Sequence, residues 1–224
     1  HMAALRLRLA DRWKTYWRAP GEAGIPPAFD WSGSENLRSV AYHWPEPHVF
    51  DLNGLRTVGY TQELVLPIEI TPEHPGQPIR IAAEVELGVC KDICVPVSLR
   101  LDSVLANGGK PDPAIRAALA DVPRPAREAG LSAIRCEVAP LSDGLRVTAR
   151  MELPALGGRE FVVFEPRDPS IWVGETVIER NGRSLVAAAD FVPPSGAPFA
   201  LDRSGIRITL MGESGAVELQ GCPG

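Results

Sequence analysis

At 224 residues, 45% of them hydrophobic, the chain is long enough for one large or two ordinary domains with real cores. Its net charge of −5 argues against nucleic acid, which needs a basic face, and the basic residues are nearly all Arg, with Lys only at 14, 91 and 110. The 21 Gly and 22 Pro point to many turns and few long helices, and no apolar run reaches the roughly 18 residues of a membrane span.

The chain opens "HMAALRLRLA", already in strand-like alternation and without the apolar stretch of a signal peptide. His1-Met2 reads as a cloning remnant, so a trimmed piece or a mature exported protein is expected. Leu5, Leu7 and Leu9 alternate with Arg6 and Arg8. The segment "RAPGEAGIPPAFDWSGSEN" then breaks the pattern. It is rich in Pro and Gly yet carries Phe29 and Trp31, as expected of a functional loop or one packed by its own side chains. Leu64, Leu66, Ile68 and Ile70 form the next strand, in which Pro67 predicts an edge or a bulge. Ile79, Ile81, Ala83, Val85, Leu87 and Val89 run in one phase, and Val95, Val97, Leu99 and Leu101 in the next.

After the break "ANGGKPDP", Asp112 reads as an N-cap and Pro113 as the first helical residue of a short helix, which Pro123 and Pro125 end. A second β-rich series follows Gly130. Within it Asn181-Gly182 suits a two-residue hairpin turn, and the last hairpin, "GIRITLMGESGAVELQG", leads to Cys222. The expected fold is all-β: two tandem sandwiches, residues 1–108 and 131–224, joined by a linker with a short helix over 109–130. Trp13, Trp17, Trp31 and Trp44 all fall in the first sandwich, which is therefore expected to carry the recognition surface. Tyr16, Trp17 and Phe50 are candidates for that surface, with core packing as the default for each alone.

Four cysteines are compatible with two disulfides and an oxidising compartment, and too few for a disulfide-built scaffold. Cys90 and Cys94 lie in "ELGVCKDICVPVSLR". The core phase on the way in is odd-numbered, so Cys90 shares the other face with Glu84 and Glu86. On the way out Cys94 shares the polar phase with Ser98 and Arg100. Both sulfurs are thus expected on the same non-core face, across a tight hairpin, at a separation that a disulfide spans. Such a bond closes a loop of roughly five residues and stabilises by only about 2 kcal/mol on the chain-entropy model. A bond between Cys136 and Cys222, on the first and last predicted strands of the second series, closes roughly 87 residues and is worth about 4.6 kcal/mol. Cys90–Cys94 is the expected labile pair and Cys136–Cys222 the structural one.

Three readings of Cys90 and Cys94 stand at this point: a staple, a redox pair, or a two-thiolate clip for the soft ion Cu(I). Zinc would want four ligands, and the four His show no matching spacing. Lys91 favours a thiolate, whereas Asp92, Glu84 and Glu86 oppose it, which predicts a poorly activated pair that relies on its partner's thiolate. No phosphate loop, G-x-S-x-G elbow or H-E-x-x-H is present, and no cofactor or metal is expected.

The ordered motifs "DRWKTYWRAPGEAGIPPAFDWSGSENL", "HWPEPHVFDLNG", "GYTQELVLPIEITPE" and "ELGVCKDICVP" resemble the N-terminal periplasmic domain of the thiol:disulfide interchange protein DsbD family, closest to its ScsB-like (suppressor of copper sensitivity) subtype. The likeness covers residues 3–105, and in the ScsB type the exported region is similar to a tandem of immunoglobulin-like β-sandwiches. The resemblance implies a protein-disulfide reductase type of relay. Electrons pass from a membrane-embedded domain and a thioredoxin-like domain, in cis or in trans, to this domain and on to thioredoxin-fold periplasmic isomerases or reductases. It further implies that Cys94 is the exposed nucleophile and Cys90 the resolving cysteine, that Phe50 is the cap aromatic shielding the disulfide, and that Tyr16 and Tyr60 are tyrosines near the pair. The sequence departs from the family's C-x5-C with a C-x3-C, and carries "PHV" where acidic residues usually precede the cap aromatic. The family's membrane and thioredoxin-like domains lie outside these 224 residues, as expected of a fragment or a standalone relative. Expected, then, is a periplasmic thiol–disulfide exchange domain. The alternatives are a copper-tolerance module and a non-catalytic adaptor with two structural disulfides.

Overall fold

The computed structural model describes residues 1–21, 23–52, 55–106, 109–197 and 199–224. They form two units, 1–122 and 123–224. The strands of the first are β1 (Met2–Arg8), β2 (Lys14–Gly21), β3 (Ala28–Asp30), β4 (Leu37–Tyr42), β5 (His48–Leu52), β6 (Leu55–Thr61), β7 (Glu63–Pro72), β8 (Ile79–Cys90) and β9 (Cys94–Leu105). One sheet runs β1-β7-β4 and the other β3-β8-β2-β6-β5, with β9 added to β8.

Period-two alternation decides the inside of this sandwich. Leu64, Leu66, Ile68 and Ile70 of β7 and Ile79, Ile81, Ala83, Val85 and Leu87 of β8 are all buried, as the sequence phase predicts. Each large apolar side chain so placed contributes about 1.5–3 kcal/mol relative to exposure. Pro67 differs from expectation: β7 is the middle strand of its sheet. The missing N–H is tolerated because β4 stops there; its last paired residue, Tyr42, faces Ile68, and His43 still donates its N–H to the Pro67 carbonyl. The expected long loop is also shorter than predicted. β2 runs on to Gly21, and Phe29 enters β3 against Val85. Phe29 then packs on Tyr42 (centroids 4.6 Å apart) and, with Trp31, Trp44 and Tyr60, forms an aromatic cluster.

Helix α1 (Pro113–Ala120) has the predicted start: Asp112 Oδ1 accepts from the N–H groups of Ala114 (2.7 Å) and Ile115 (3.3 Å). It lies against β7 and belongs to the first unit, so the stretch expected to connect the sandwiches is divided between the two units.

The second unit holds β10 (Arg124–Pro125), β11 (Ala133–Pro140), β12 (Leu145–Glu152), β13 (Phe161–Glu165), β14 (Trp172–Val173), β15 (Val177–Asn181), β16 (Ser184–Val192), β17 (Arg207–Gly212) and β18 (Gly215–Gln220). Its sheets run β10-β18-β17-β13 and β11-β12-β16-β14, with β15 also on β16. Val147, Ala149 and Met151 of β12, Leu185, Ala187, Ala189 and Phe191 of β16, and Ile208 and Leu210 of β17 fill the core. The β15–β16 turn sits one residue later than predicted: Asn181 pairs with Ser184, leaving Gly182-Arg183 as the loop, with Gly182 at φ +57°. The fold is all-β, in two sandwiches.

Candidate functional site

Cys90 ends β8 and Cys94 begins β9, and the hairpin register sets them directly opposite each other. Lys91, Asp92 and Ile93 make the turn between them. The two cysteines are disulfide-bonded, with Cα atoms 4.2 Å apart, as the phase argument predicts. The two sulfurs differ in access. Cys90 is 2% exposed, whereas Cys94 is exposed on the outer strand of the hairpin. Cys90 is buried although it lies off the core phase, because β2 brings its own side chains over it.

β2 is paired with β8 so that Lys14 faces Cys90 and Thr15 faces Val89. Lys14 and Tyr16 therefore project on the cysteine side, two residues apart. The Tyr16 hydroxyl lies 2.7 Å from Cys90 Sγ and 3.0 Å from Cys94 Sγ. A disulfide sulfur carries no hydrogen, so the hydroxyl donates, sharing one proton between the two sulfurs. Tyr16 is itself buried, and burial raises its pKa above the ordinary 10.0, which keeps the hydroxyl a donor. Its ring fits because two neighbours lack side chains. A Cβ on Gly88 would come within 3.1 Å of Tyr16 Cδ2, and one on Gly24 within 2.9 Å of Cδ1.

Lys14 was not singled out by sequence reasoning. Its Nζ donates to Thr57 Oγ1 at 3.0 Å and stands 5.1 Å from the centre of the Phe50 ring and 5.9 Å from that of Tyr16. Burial lowers its pKa from 10.5. Lys14, Tyr16, Thr57, the turn residues and both cysteines line one small cleft, together with Leu55. The available signal was phase: Lys14 and Tyr16 share one parity in β2, and only the strand order reveals that this parity faces the cysteines.

Phe50 lies in β5 opposite Thr57, half-buried, and meets the site through the Lys14 ammonium. Tyr60 is elsewhere. It pairs with Thr15, whose side chain projects on the face opposite that of Tyr16; its hydroxyl donates to the Pro45 carbonyl (2.8 Å) and its ring stacks on Trp44. Of the two readings of Tyr16 and Trp17, the default of core packing holds and the partner surface does not: they are 2% and 0% exposed, because β2 is an inner strand covered on both faces.

The second disulfide, Cys136–Cys222, joins β11 to the segment just past β18, with both residues buried in the second core. The Arg203 guanidinium donates to the backbone carbonyls of both cysteines, so the bridge sits in a fixed backbone setting. Among the described residues no cysteine is free.

The short hairpin bridge thus joins a buried and an exposed cysteine under one hydroxyl donor. The family model for the N-terminal region of thiol:disulfide interchange protein DsbD matches residues 1–106. Residues 1–106 are thus similar to the N-terminal region of DsbD. That likeness supports a thiol–disulfide exchange domain, and the Cys90–Cys94 disulfide lies within the matched residues. The crystal structure of the N-terminal periplasmic domain of ScsB from Proteus mirabilis is similar over 100% of this chain and 87% of that one, at a TM-score of 0.73 and 24% identity. The shared fold thus extends beyond residues 1–106 into the second sandwich. No curated protein matches the chain. Among the described residues no helix is long and apolar enough to cross a membrane.

Proposed function

We propose that the chain is the periplasmic electron-relay part of a protein-disulfide reductase, passing reducing equivalents through Cys90 and Cys94 to thioredoxin-fold partners. The observation that carries this reading is the unequal access of the two sulfurs, with Cys90 at 2% exposure and Cys94 open at the cleft. In the forward step the Cys94 thiolate attacks one sulfur of the partner's disulfide. The partner's other sulfur leaves as a thiolate and a mixed disulfide forms. Cys90, losing its proton, then attacks Cys94 Sγ, closes Cys90–Cys94 and expels the partner's second thiolate. Two electrons have moved to the partner, and a thioredoxin-like dithiol in cis or in trans restores the pair by the same steps in reverse.

Phe50 shields the cleft in the resting state by holding the Lys14 side, and Ile93 and Leu55 give a partner apolar contact beside Cys94; they are 73% and 50% exposed. Tyr16 supplies the hydrogen bond to sulfur, whereas Tyr60 serves the aromatic core. The structural role falls to Cys136–Cys222.

Trapping tests the assignment of roles. With a thioredoxin-fold disulfide isomerase as partner, Cys90→Ser accumulates a stable mixed disulfide through Cys94, because the resolving thiol is gone, and Cys94→Ser forms none. Equal trapping by both variants, or by neither, contradicts the relay.

A further inference from the structure

The sequence alone predicts a poorly activated pair, since Asp92, Glu84 and Glu86 offset Lys91. The fold changes that balance. Glu84 is neutralised by Arg100 of β9, its Oε1 3.0 Å from Arg100 Nε, and both lie along the hairpin away from the turn. Glu86 is exposed beside Ala28 of β3 and Ser98 of β9. Lining the cleft with the sulfurs are Lys14 and Tyr16 from β2, uncharged Thr57 from β6, and Lys91 and Asp92 of the turn. β5 adds His48 on the Phe50 side, edge-on to that ring, while Asp51 and Arg56 face each other in the alternate phase of β5 and β6. Asp92 is exposed and Lys91 beside it half-exposed, so water screens both. Lys14 is different: half-buried, opposite Cys90 in register, and with no carboxylate partner among the described residues. Its charge is met by one hydroxyl and two ring faces.

We propose that Lys14 is the positioning residue whose ammonium stabilises the thiolate of the reduced Cys90/Cys94 pair, keeping the attacking sulfur ionised near neutral pH. The inference rests on the exchange reading of this pair and deepens it. Desolvation makes the charge effective: the same ammonium in bulk water would be screened, whereas here the Thr57 hydroxyl and the Tyr16 and Phe50 rings hold it in the cleft that both cysteines line. Thr57 and Phe50 fix the amine without neutralising it, which a carboxylate partner would do. On reduction the ionised thiol releases its proton to solvent, and the resulting thiolate is an anion held inside the cleft, whereas Asp92 on the turn is exposed and screened by water. Burial already disfavours the ammonium through the lowered pKa, so the thiolate and Lys14 stabilise each other.

The test is the pH–rate profile for alkylation of the reduced full chain by iodoacetamide, with each cysteine read by mass spectrometry. Lys14→Met and Lys14→Gln, two neutral variants that keep the stem, should move the profile's midpoint upward by about one pH unit. At neutral pH the rate should fall by about threefold, since roughly tenfold less thiolate is partly offset by its greater nucleophilicity. Lys14→Arg should restore the midpoint. A profile unmoved in the neutral variants, or moved equally by Lys14→Arg, overturns the inference and leaves exchange itself intact. A Cys90–Cys94 bond that no dithiothreitol concentration opens overturns the exchange reading, and this inference with it.

Discussion

Tyr16 decides more of the chemistry than any residue except the cysteines. Its hydroxyl reaches both sulfurs, and burial keeps it protonated. In the disulfide state it donates weakly to neutral sulfur; once a thiolate forms, the same bond becomes charge-assisted and stronger. It therefore stabilises the reduced pair more than the oxidised one. Tyr16→Phe keeps the ring between Gly24 and Gly88 and removes only the donor. A hydrogen bond to a charged group is worth about 1.5–3 kcal/mol, so the variant's pair should be harder to reduce by about tenfold or more in its equilibrium constant with glutathione. Stability of the oxidised protein to urea should change by about 1 kcal/mol or less. An unchanged equilibrium constant would show that the hydroxyl does not discriminate between the two redox states.

The hairpin of β8 and β9 is the element in which sequence and structure agree best, and the reason is local. Alternation over twelve paired positions fixes which side each residue takes, so the opposition of Cys90 and Cys94 follows from the pattern between Ile79 and Leu105. The same logic located α1, because Asp112 and Pro113 carry their own boundary signal. It did not locate Tyr60, nor did it decide between surface and core for Tyr16 and Trp17. Their surroundings depend on which strands flank β2, namely β8 and β6, and nothing within "WKTYWR" encodes those neighbours. Pro67 misled for a related reason: its missing N–H is excused by the end of β4, a strand some twenty-five residues earlier. Lys14 escaped notice because a lone lysine in a strand normally faces water, and its placement over the cysteines is a product of sheet order.

Across the whole molecule the chemistry is unevenly distributed. All three tyrosines, Tyr16, Tyr42 and Tyr60, lie in the first unit, and burial raises the pKa of each, that of Tyr60 well above 10.0. Their contribution to stability is fully present below the unfolded value of about 10 and is lost as pH rises through the folded values, because the unfolded chain ionises first. The first unit should therefore unfold cooperatively above about pH 10, with tyrosinate absorbance and loss of β circular dichroism rising together. Tyrosines that ionise one by one near their ordinary pKa, with the sheets intact, would contradict their burial. The two disulfides show the same division between the units. Cys136–Cys222, closing a long loop in the second core, constrains the unfolded chain far more than the short Cys90–Cys94 bridge.

The most direct test of thiol–disulfide exchange at Cys90 and Cys94 is a redox titration of the oxidised chain in graded glutathione buffers, each cysteine alkylated and read by mass spectrometry. The predicted result is reversible opening of Cys90–Cys94 at a moderate potential while Cys136–Cys222 remains closed. Two bridges that resist together, or that open only as the protein unfolds, would contradict it.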